Sequence, residues 1–223
     1  VDKDTAFVIL EPIQGESGIH VPSDSFLQDV RKLCDENKIL LIFDEIQSGL
    51  GRTGSMWAAD HWKTVPDIMC VAKGIAGGIP MGVTLVRPDI LSVMKKGEHS
   101  STFGGNPLSC AAGTATIQAL TQDGLIENAK NMGLKFRLGL DELKDKHRII
   151  REVRGKGLMI GVELKFEVKD ILMEGIKNGI LLLYSGRNIL RFLPPLVISE
   201  DDIAKTLKIL DILLTNEETR RNV

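Results

Sequence analysis

Ile39-Leu40-Leu41-Ile42-Phe43-Asp44-Glu45-Ile46-Gln47 and Ile68-Met69-Cys70-Val71-Ala72-Lys73-Gly74 each set a short, nearly unbroken apolar run against an ionisable end. Such runs, without polar alternation, mark strands buried on both faces, as in a parallel sheet. Ala6 to Leu10 and Val83 to Val86 have the same character. Longer mixed segments separate the runs, the pattern of parallel strands joined by helical crossovers. Pro22-Ser23-Asp24 can start one such helix, with Phe26, Leu27, Val30, Leu33 and Cys34 recurring at helical spacing. The fold class read from this region is α/β.

After Asn106-Pro107, the stretch Leu108 to Leu120 is small and apolar, with Ala111, Ala112, Ala115 and Ala119 suited to a closely packed helix. A second region begins near Asp123-Gly124. A charged amphipathic stretch runs to about Lys146, followed by strand-like Ile149 to Val153 and Gly157 to Leu164. Asp170 to Lys177 reads as a helix closed by Asn178-Gly179, Ile180 to Tyr184 and Ile189 to Phe192 as strands, and Ser199-Glu200 as a helix start. The polar tail from Asn216 to Val223 is expected to fray. This half reads as α+β.

Composition narrows the function. With 28 Lys and Arg against 30 Asp and Glu, the net charge of -2 offers no basic field for nucleic acid. Cys34, Cys70 and Cys110 lie far apart with no metal-ligand spacing, which suggests neither a disulfide framework nor a metal site and fits a reducing cytoplasm. The longest apolar runs fall well short of the roughly 18 residues of a membrane span.

In an open parallel sheet, ligands bind outside the carboxyl ends of the strands. Glu11-Pro12, Asp44-Glu45-Ile46-Gln47 and Lys73-Gly74 stand there, so acids and a lysine converge. From topology alone an ordinary Lys73–Asp44 ion pair explains this equally well. Gly74-Ile75-Ala76-Gly77-Gly78-Ile79-Pro80, however, has almost no bulk and lets a planar group approach the backbone. A lysine serving as an imine-forming nucleophile must be neutral part of the time, which burial and nearby positive charge favour. A carboxylate such as Asp44 on a pyridine nitrogen keeps it protonated, so the ring can take up electrons. His99-Ser100-Ser101-Thr102-Phe103-Gly104-Gly105-Asn106-Pro107 could hold a phosphate, although its spacing is not that of a nucleotide-binding P-loop. Gly155-Lys156-Gly157 reads as a turn.

Four ordered motifs together resemble one family, the class III, ω-amino-acid aminotransferases. They are Glu11-Pro12-Ile13-Gln14-Gly15-Glu16, Phe43-Asp44-Glu45-Ile46-Gln47-Ser48-Gly49-Leu50-Gly51-Arg52-Thr53-Gly54, Ala72-Lys73-Gly74 and Ser101-Thr102-Phe103-Gly104-Gly105-Asn106-Pro107. Arg151 to Met159 and Ile189-Leu190-Arg191-Phe192-Leu193-Pro194-Pro195 look most like the acetylornithine and ornithine branch, including enzymes acting on carrier-protein-linked lysine or ornithine. The resemblance implies a type I pyridoxal-phosphate-dependent transferase fold. Residues 1–121 would form the later part of the cofactor-binding large domain, and 122–223 the small C-terminal α+β domain.

The resemblance further implies pyridoxal 5'-phosphate as cofactor, Lys73 as its Schiff-base lysine, Asp44 on the pyridine nitrogen and Gln47 on the phenolic oxygen. Ser101 and Thr102 would hold the phosphate of a neighbouring subunit, which implies a homodimer with shared sites. Arg191 would bind a substrate carboxylate and Glu16 would pair with it. Arg52 reads as structural, and His20, His61, His99 and His147 as surface or packing residues. The implied activity moves a terminal amino group from an acetylornithine-, ornithine- or lysine-type donor to 2-oxoglutarate, in arginine or lysine biosynthesis. A 4-aminobutyrate-type aminotransferase or another enzyme of the same scaffold is an alternative, as is a non-catalytic half-chain. Ser100 stands where the family has glycine, and Phe103 where tyrosine is commoner. The family's chain also runs on before Val1, through a Ser-Gly-Thr-Glu phosphate turn and a ring-stacking aromatic with no counterpart here. The expectation is a truncated piece, or a half completed by another polypeptide, that binds the cofactor poorly alone.

Overall fold

A computed structural model describes residues 1–222. The chain divides into two compact units, the first formed by residues 1–12, 22–51 and 55–124, the second by 13–21, 52–54 and 125–223.

In the first unit, β1 (Phe7–Leu10), β2 (Leu40–Asp44), β3 (Ile68–Val71) and β4 (Val83–Val86) form one sheet in that order. β1 pairs parallel with β2, and β2 parallel with β3, placing Asp44 opposite Cys70. Helix α1 (Phe26–Asn37) makes the crossover from β1 to β2 and buries Leu27 and Cys34, two helical turns apart on one face. β4 departs from the expected parallel arrangement and runs antiparallel to β3, Val71 opposite Val83. Its connection, residues 72–82, is shorter than the dozen or so residues a parallel crossover needs. The expected cover on both faces also fails at the edge. Leu41 and Phe43 are fully buried, whereas Phe7 and Ile9 remain 50% and 55% exposed, because nothing among the described residues packs over their face.

Asp67 straps the amino ends of β2 and β3. Its buried carboxylate accepts from the Leu41 N–H at 2.7 Å, from Arg31 at 2.9 Å and from Arg87 at 2.5 Å. Burial alone would raise its pKa; the Leu41 N–H and the Arg31 guanidinium outweigh that and hold it below the ordinary aspartate value. A depressed carboxyl pKa stabilises the fold above the unfolded value and loses that contribution as pH falls through the folded one. Asp67→Ala should therefore cost about 2 kcal/mol at neutral pH by leaving the buried Leu41 N–H without its acceptor and removing a carboxylate that Arg31 and Arg87 share, although Arg31 keeps Asp35 and Arg87 keeps Asp89; the difference narrows below about pH 4. Hydrogen exchange of the β2 and β3 amides across that range is the measurement. An unchanged rate in the variant at pH 7 would refute the strap.

Helix α2 (Pro88–Leu91) is a single turn, and α3 (Pro107–Gln122) begins where the Asn106 side chain accepts from the Ser109 N–H at 3.0 Å. Its Pro107 occupies the first helical position, where no N–H is needed.

In the second unit, β5 (Ile150–Lys156), β6 (Met159–Leu164), β7 (Leu183–Ser185) and β8 (Ile189–Phe192) form an antiparallel sheet in the order β5-β6-β8-β7. Helices α4 (Leu125–Lys146), α5 (Lys169–Lys177) and α6 (Glu200–Arg221) accompany it. Phe136 of α4 meets Phe192 of β8 edge-on, with ring centroids 5.2 Å apart, among buried Leu140, Ile160, Leu190 and Leu210. The strand expected over Ile180 to Tyr184 is shorter and later, because only Leu183–Ser185 finds partners on β8. The tail does not fray at Asn216. α6 continues to Arg221, where Glu217 pairs with Arg220 and Arg221 and the Arg221 guanidinium lies 3.8 Å over the Phe166 ring. Arg52 donates to the carbonyls of Leu158 and Pro194, and burial pulls its pKa down to about 10, which leaves it cationic at neutral pH. His147 packs inside, its ring nitrogens 2.7 Å from Asp211 and 2.9 Å from Glu218, while His20, His61 and His99 are exposed. Among the described residues no helix is long and apolar enough to cross a membrane.

Candidate active site

Two groups of the side chains singled out above are found, one in each unit. In the first unit, β2 ends on Asp44, and Lys73 follows the end of its parallel neighbour β3 by two residues. Both therefore stand at the carboxyl side of the parallel strands, where open α/β sheets bind ligands. Asp44 is half-buried and accepts from the Ile46 N–H at 2.9 Å, a local turn that fixes one carboxylate oxygen and leaves the other's lone pairs unengaged by this bond. Lys73 is exposed and adopts φ 49°, opening the 3₁₀ turn Lys73–Ala76. A left-handed lysine at a strand end is uncommon and clusters with function more often than a helical one does.

The glycines that follow Lys73 are unhindered. A Cβ built on Gly74 would have only Leu50 within 4 Å, and one on Gly78 would meet nothing. Gln47 lies in the reversal that follows β2, where the Gly49 N–H returns to the Glu45 carbonyl at 3.0 Å. Position 49 must be glycine, since a Cβ there would sit 2.8 Å from that carbonyl oxygen. Ser101 and Thr102 belong to a different element, the exposed loop before α3, in which the Gly104 N–H closes onto the Ser101 carbonyl.

Sequence reasoning passed over Glu45. Its carboxylate is fully buried, accepts from the Ser48 hydroxyl at 2.6 Å and from the Ala59 N–H at 2.8 Å, and is pushed up in pKa, chiefly by burial. No local pattern announces this, because an acid next to an acid at a strand end reads as solvated.

In the second unit, Arg191 of β8 and Glu16 form an ion pair, Nη1 to Oε1 2.7 Å, with Arg191 mostly buried and Glu16 exposed. Beyond this ion pair, Nη1 makes no hydrogen bond and neither does Nε. Two buried donors of the guanidinium are thus left for other acceptors, and a carboxylate can take either of them in a fork with Nη2. Arg191 also lines a cavity of about 490 Å³ with Leu183, Phe192, Pro194 and Pro195. The Glu16 loop is held by the Ser185 hydroxyl, which donates to the Glu16 carbonyl, and by Gly18, where a Cβ would fall 2.5 Å from Ile189.

Comparison with known proteins agrees in one direction. The family described as aminotransferase class-III matches residues 1–214. The chain is 45% identical over 216 residues to the acetylornithine aminotransferase of Caldanaerobacter subterraneus subsp. tengcongensis, covering 96% of this chain and 55% of that protein. It is 42% identical over 215 residues to ornithine aminotransferase 1 of Staphylococcus saprophyticus, covering 96% and 54%. Among solved structures, the ornithine aminotransferase of Toxoplasma gondii, described with partial occupancy of PLP at its active site, superposes with a TM-score of 0.92 at 37% identity, covering 96% of this chain and 52% of that one. The chain thus spans about half the length of the relatives it matches.

Proposed function

The chain belongs to the class-III aminotransferases, pyridoxal-phosphate-dependent enzymes of type I fold, and from that membership we propose that it carries the lysine-bearing part of an acetylornithine- or ornithine-type aminotransferase. The observation that carries the proposal is the adjacent pair of parallel strands that deliver Asp44 and Lys73 to one side of the sheet. The cofactor, when bound, supplies a carbonyl that takes up amines and a ring that draws electrons from a substrate carbon. An amine, a carboxylate on the neighbouring strand and open space beside Gly74 and Gly78 fit such a group.

In this reading Lys73 would hold the group through its carbonyl, and its amine, when free, would serve as the acid and base that moves a proton from the substrate carbon. Asp44 keeps the ring nitrogen protonated and Gln47 bonds the phenolic oxygen. Ser101 and Thr102 hold the phosphate in a neighbouring subunit of a homodimer. Residues 1–121 act as the cofactor domain and 122–223 as the small domain. The acceptor is 2-oxoglutarate, the setting is arginine or lysine biosynthesis in the cytoplasm, and a lysine-type donor would arrive on an amino-group carrier protein.

Glu16 and Arg191 let one site serve two substrates. An ω-amino donor must present its terminal amine and keep its α-carboxylate elsewhere, whereas 2-oxoglutarate must place a carboxylate beside the reacting carbon. With Glu16 against Arg191, as at 2.7 Å here, the positive charge is masked for the donor. The diacid displaces Glu16 and takes one edge of the guanidinium through two N–H donors, a geometry lysine does not reproduce. In protein expressed from its complete coding sequence, acetylornithine or ornithine should outpace 4-aminobutyrate in the amino-donor half-reaction. Glu16→Ala should raise the glutamate rate relative to the ω-amine by about tenfold, the worth of one charge-assisted contact. Arg191→Lys should weaken use of the diacid. A glutamate-to-ω-amine ratio unchanged in Glu16→Ala would defeat the switch, and 4-aminobutyrate as the fastest donor would overturn the substrate assignment.

A further inference from the structure

We propose that Glu45 is a positioning residue, which fixes the backbone reversal after β2 so that its neighbours Asp44 and Gln47 meet the cofactor at fixed distance and angle. The assignment rests on the function proposed above for those two side chains. Glu45 is tied at four points. Its N–H donates to the Cys70 carbonyl of β3 at 2.9 Å, and its own carbonyl accepts from the Gly49 N–H at 3.0 Å. Its carboxylate accepts from the Ser48 hydroxyl at 2.6 Å and from the Ala59 N–H, at the start of the 3₁₀ helix Ala58–Trp62, at 2.8 Å. One residue therefore joins β3, the reversal and a turn fourteen positions away. The reversal is packed onto it as well, since a Cβ at Gly49 would stand 3.2 Å from the Glu45 Cβ and 3.0 Å from the Trp57 ring.

Asp44 and Gln47 lack that enclosure, both being only half-buried. Asp44 takes its direction from the strand behind it and from the chain in front, which Glu45 holds. A fully buried carboxyl is costly unless its oxygens are bonded, and here both are. An acid that merely finished a strand would point into water instead. Because a catalytic group misplaced by about 1 Å loses much of its effect, a rigid support of this kind carries functional weight beyond stability.

Glu45→Ala, Glu45→Gln and Asp67→Ala separate positioning from stability in protein expressed from its complete coding sequence. Glutamine keeps an oxygen for the Ala59 N–H and an NH₂ that can donate to Ser48, so it preserves the geometry without the charge. Asp67 straps the opposite, amino end of the same strands and serves as a destabilised control. Pyridoxal phosphate affinity, the pH dependence of the bound cofactor's absorbance and the melting temperature are measured for each. Glu45→Ala should bind the cofactor about tenfold more weakly and shift the absorbance pH midpoint, with Glu45→Gln returning the affinity to within about threefold of the parent and the midpoint to the parent value. Asp67→Ala should melt earlier yet leave affinity and midpoint unchanged. If Glu45→Ala lowers only the melting temperature, or if Asp67→Ala reproduces its cofactor defects, Glu45 is structural and the assignment falls alone. If the parent protein takes up no pyridoxal phosphate, the assignment falls together with the function it rests on.

Discussion

Asp44→Asn is expected to lower turnover by about a thousandfold, on the order of 4 kcal/mol, while the fold stays intact. The amide has nearly the shape of the carboxylate and keeps an oxygen for the Ile46 N–H now bonded at 2.9 Å, so the local turn survives. Asparagine has no negative charge with which to hold a ring nitrogen protonated, and a neutral pyridine is a far poorer acceptor of electrons from a substrate carbon. The loss falls on the chemical step, so single-turnover rates should drop with little change in the circular dichroism spectrum or in the melting temperature. Rates within tenfold of the parent, in a well-folded variant, would reduce Asp44 to a structural strand end.

The parts of this site that were legible in the sequence are those written locally. The apolar runs Ile39 to Phe43 and Ile68 to Ala72 announce buried parallel strands because both faces need cover, and their ionisable ends follow from the same reading. The direction of β4 was not legible in its own residues; it depends on the short connection after Lys73. Glu45 was missed because its burial is decided by an amide fourteen residues away, in a segment with no distinctive pattern. Residues 13–21 group with the second unit although they directly follow β1, so the Glu16–Arg191 contact is a tertiary fact that no periodicity encodes. The continuation of α6 is written in the sequence. Glu217 and Arg221 are four apart, and that pairing supports a helix through a tail whose polarity alone suggests fraying.

Sodium borohydride added to the cofactor-loaded protein should fix the label on Lys73, and Lys73→Ala should lose about four orders of magnitude or more in turnover, the combined effect of removing an anchoring amine and a proton carrier. Left-handed backbone by itself does not single out this residue, because Lys38 and Lys63 have φ of 55° and 51°. Those two close helices: the Lys38 N–H returns to Asp35 and Cys34 at the end of α1, and the Lys63 N–H to Ala59 and Asp60 after the 3₁₀ helix. Their conformation is explained by the cap. Lys73 closes nothing. It opens a 3₁₀ turn at the carboxyl side of β3, one strand from Asp44, and is followed by Gly74, which adds no bulk. Its φ is thus a cost without a capping gain, tolerable where the backbone must turn the amine toward a ligand. Peptide mapping after reduction decides the matter. A label mainly on Lys3, Lys63 or any other lysine, with Lys73 unmodified, or a Lys73→Ala protein that turns over normally, would remove Lys73 from the chemistry and leave the Asp44 strand end without its partner.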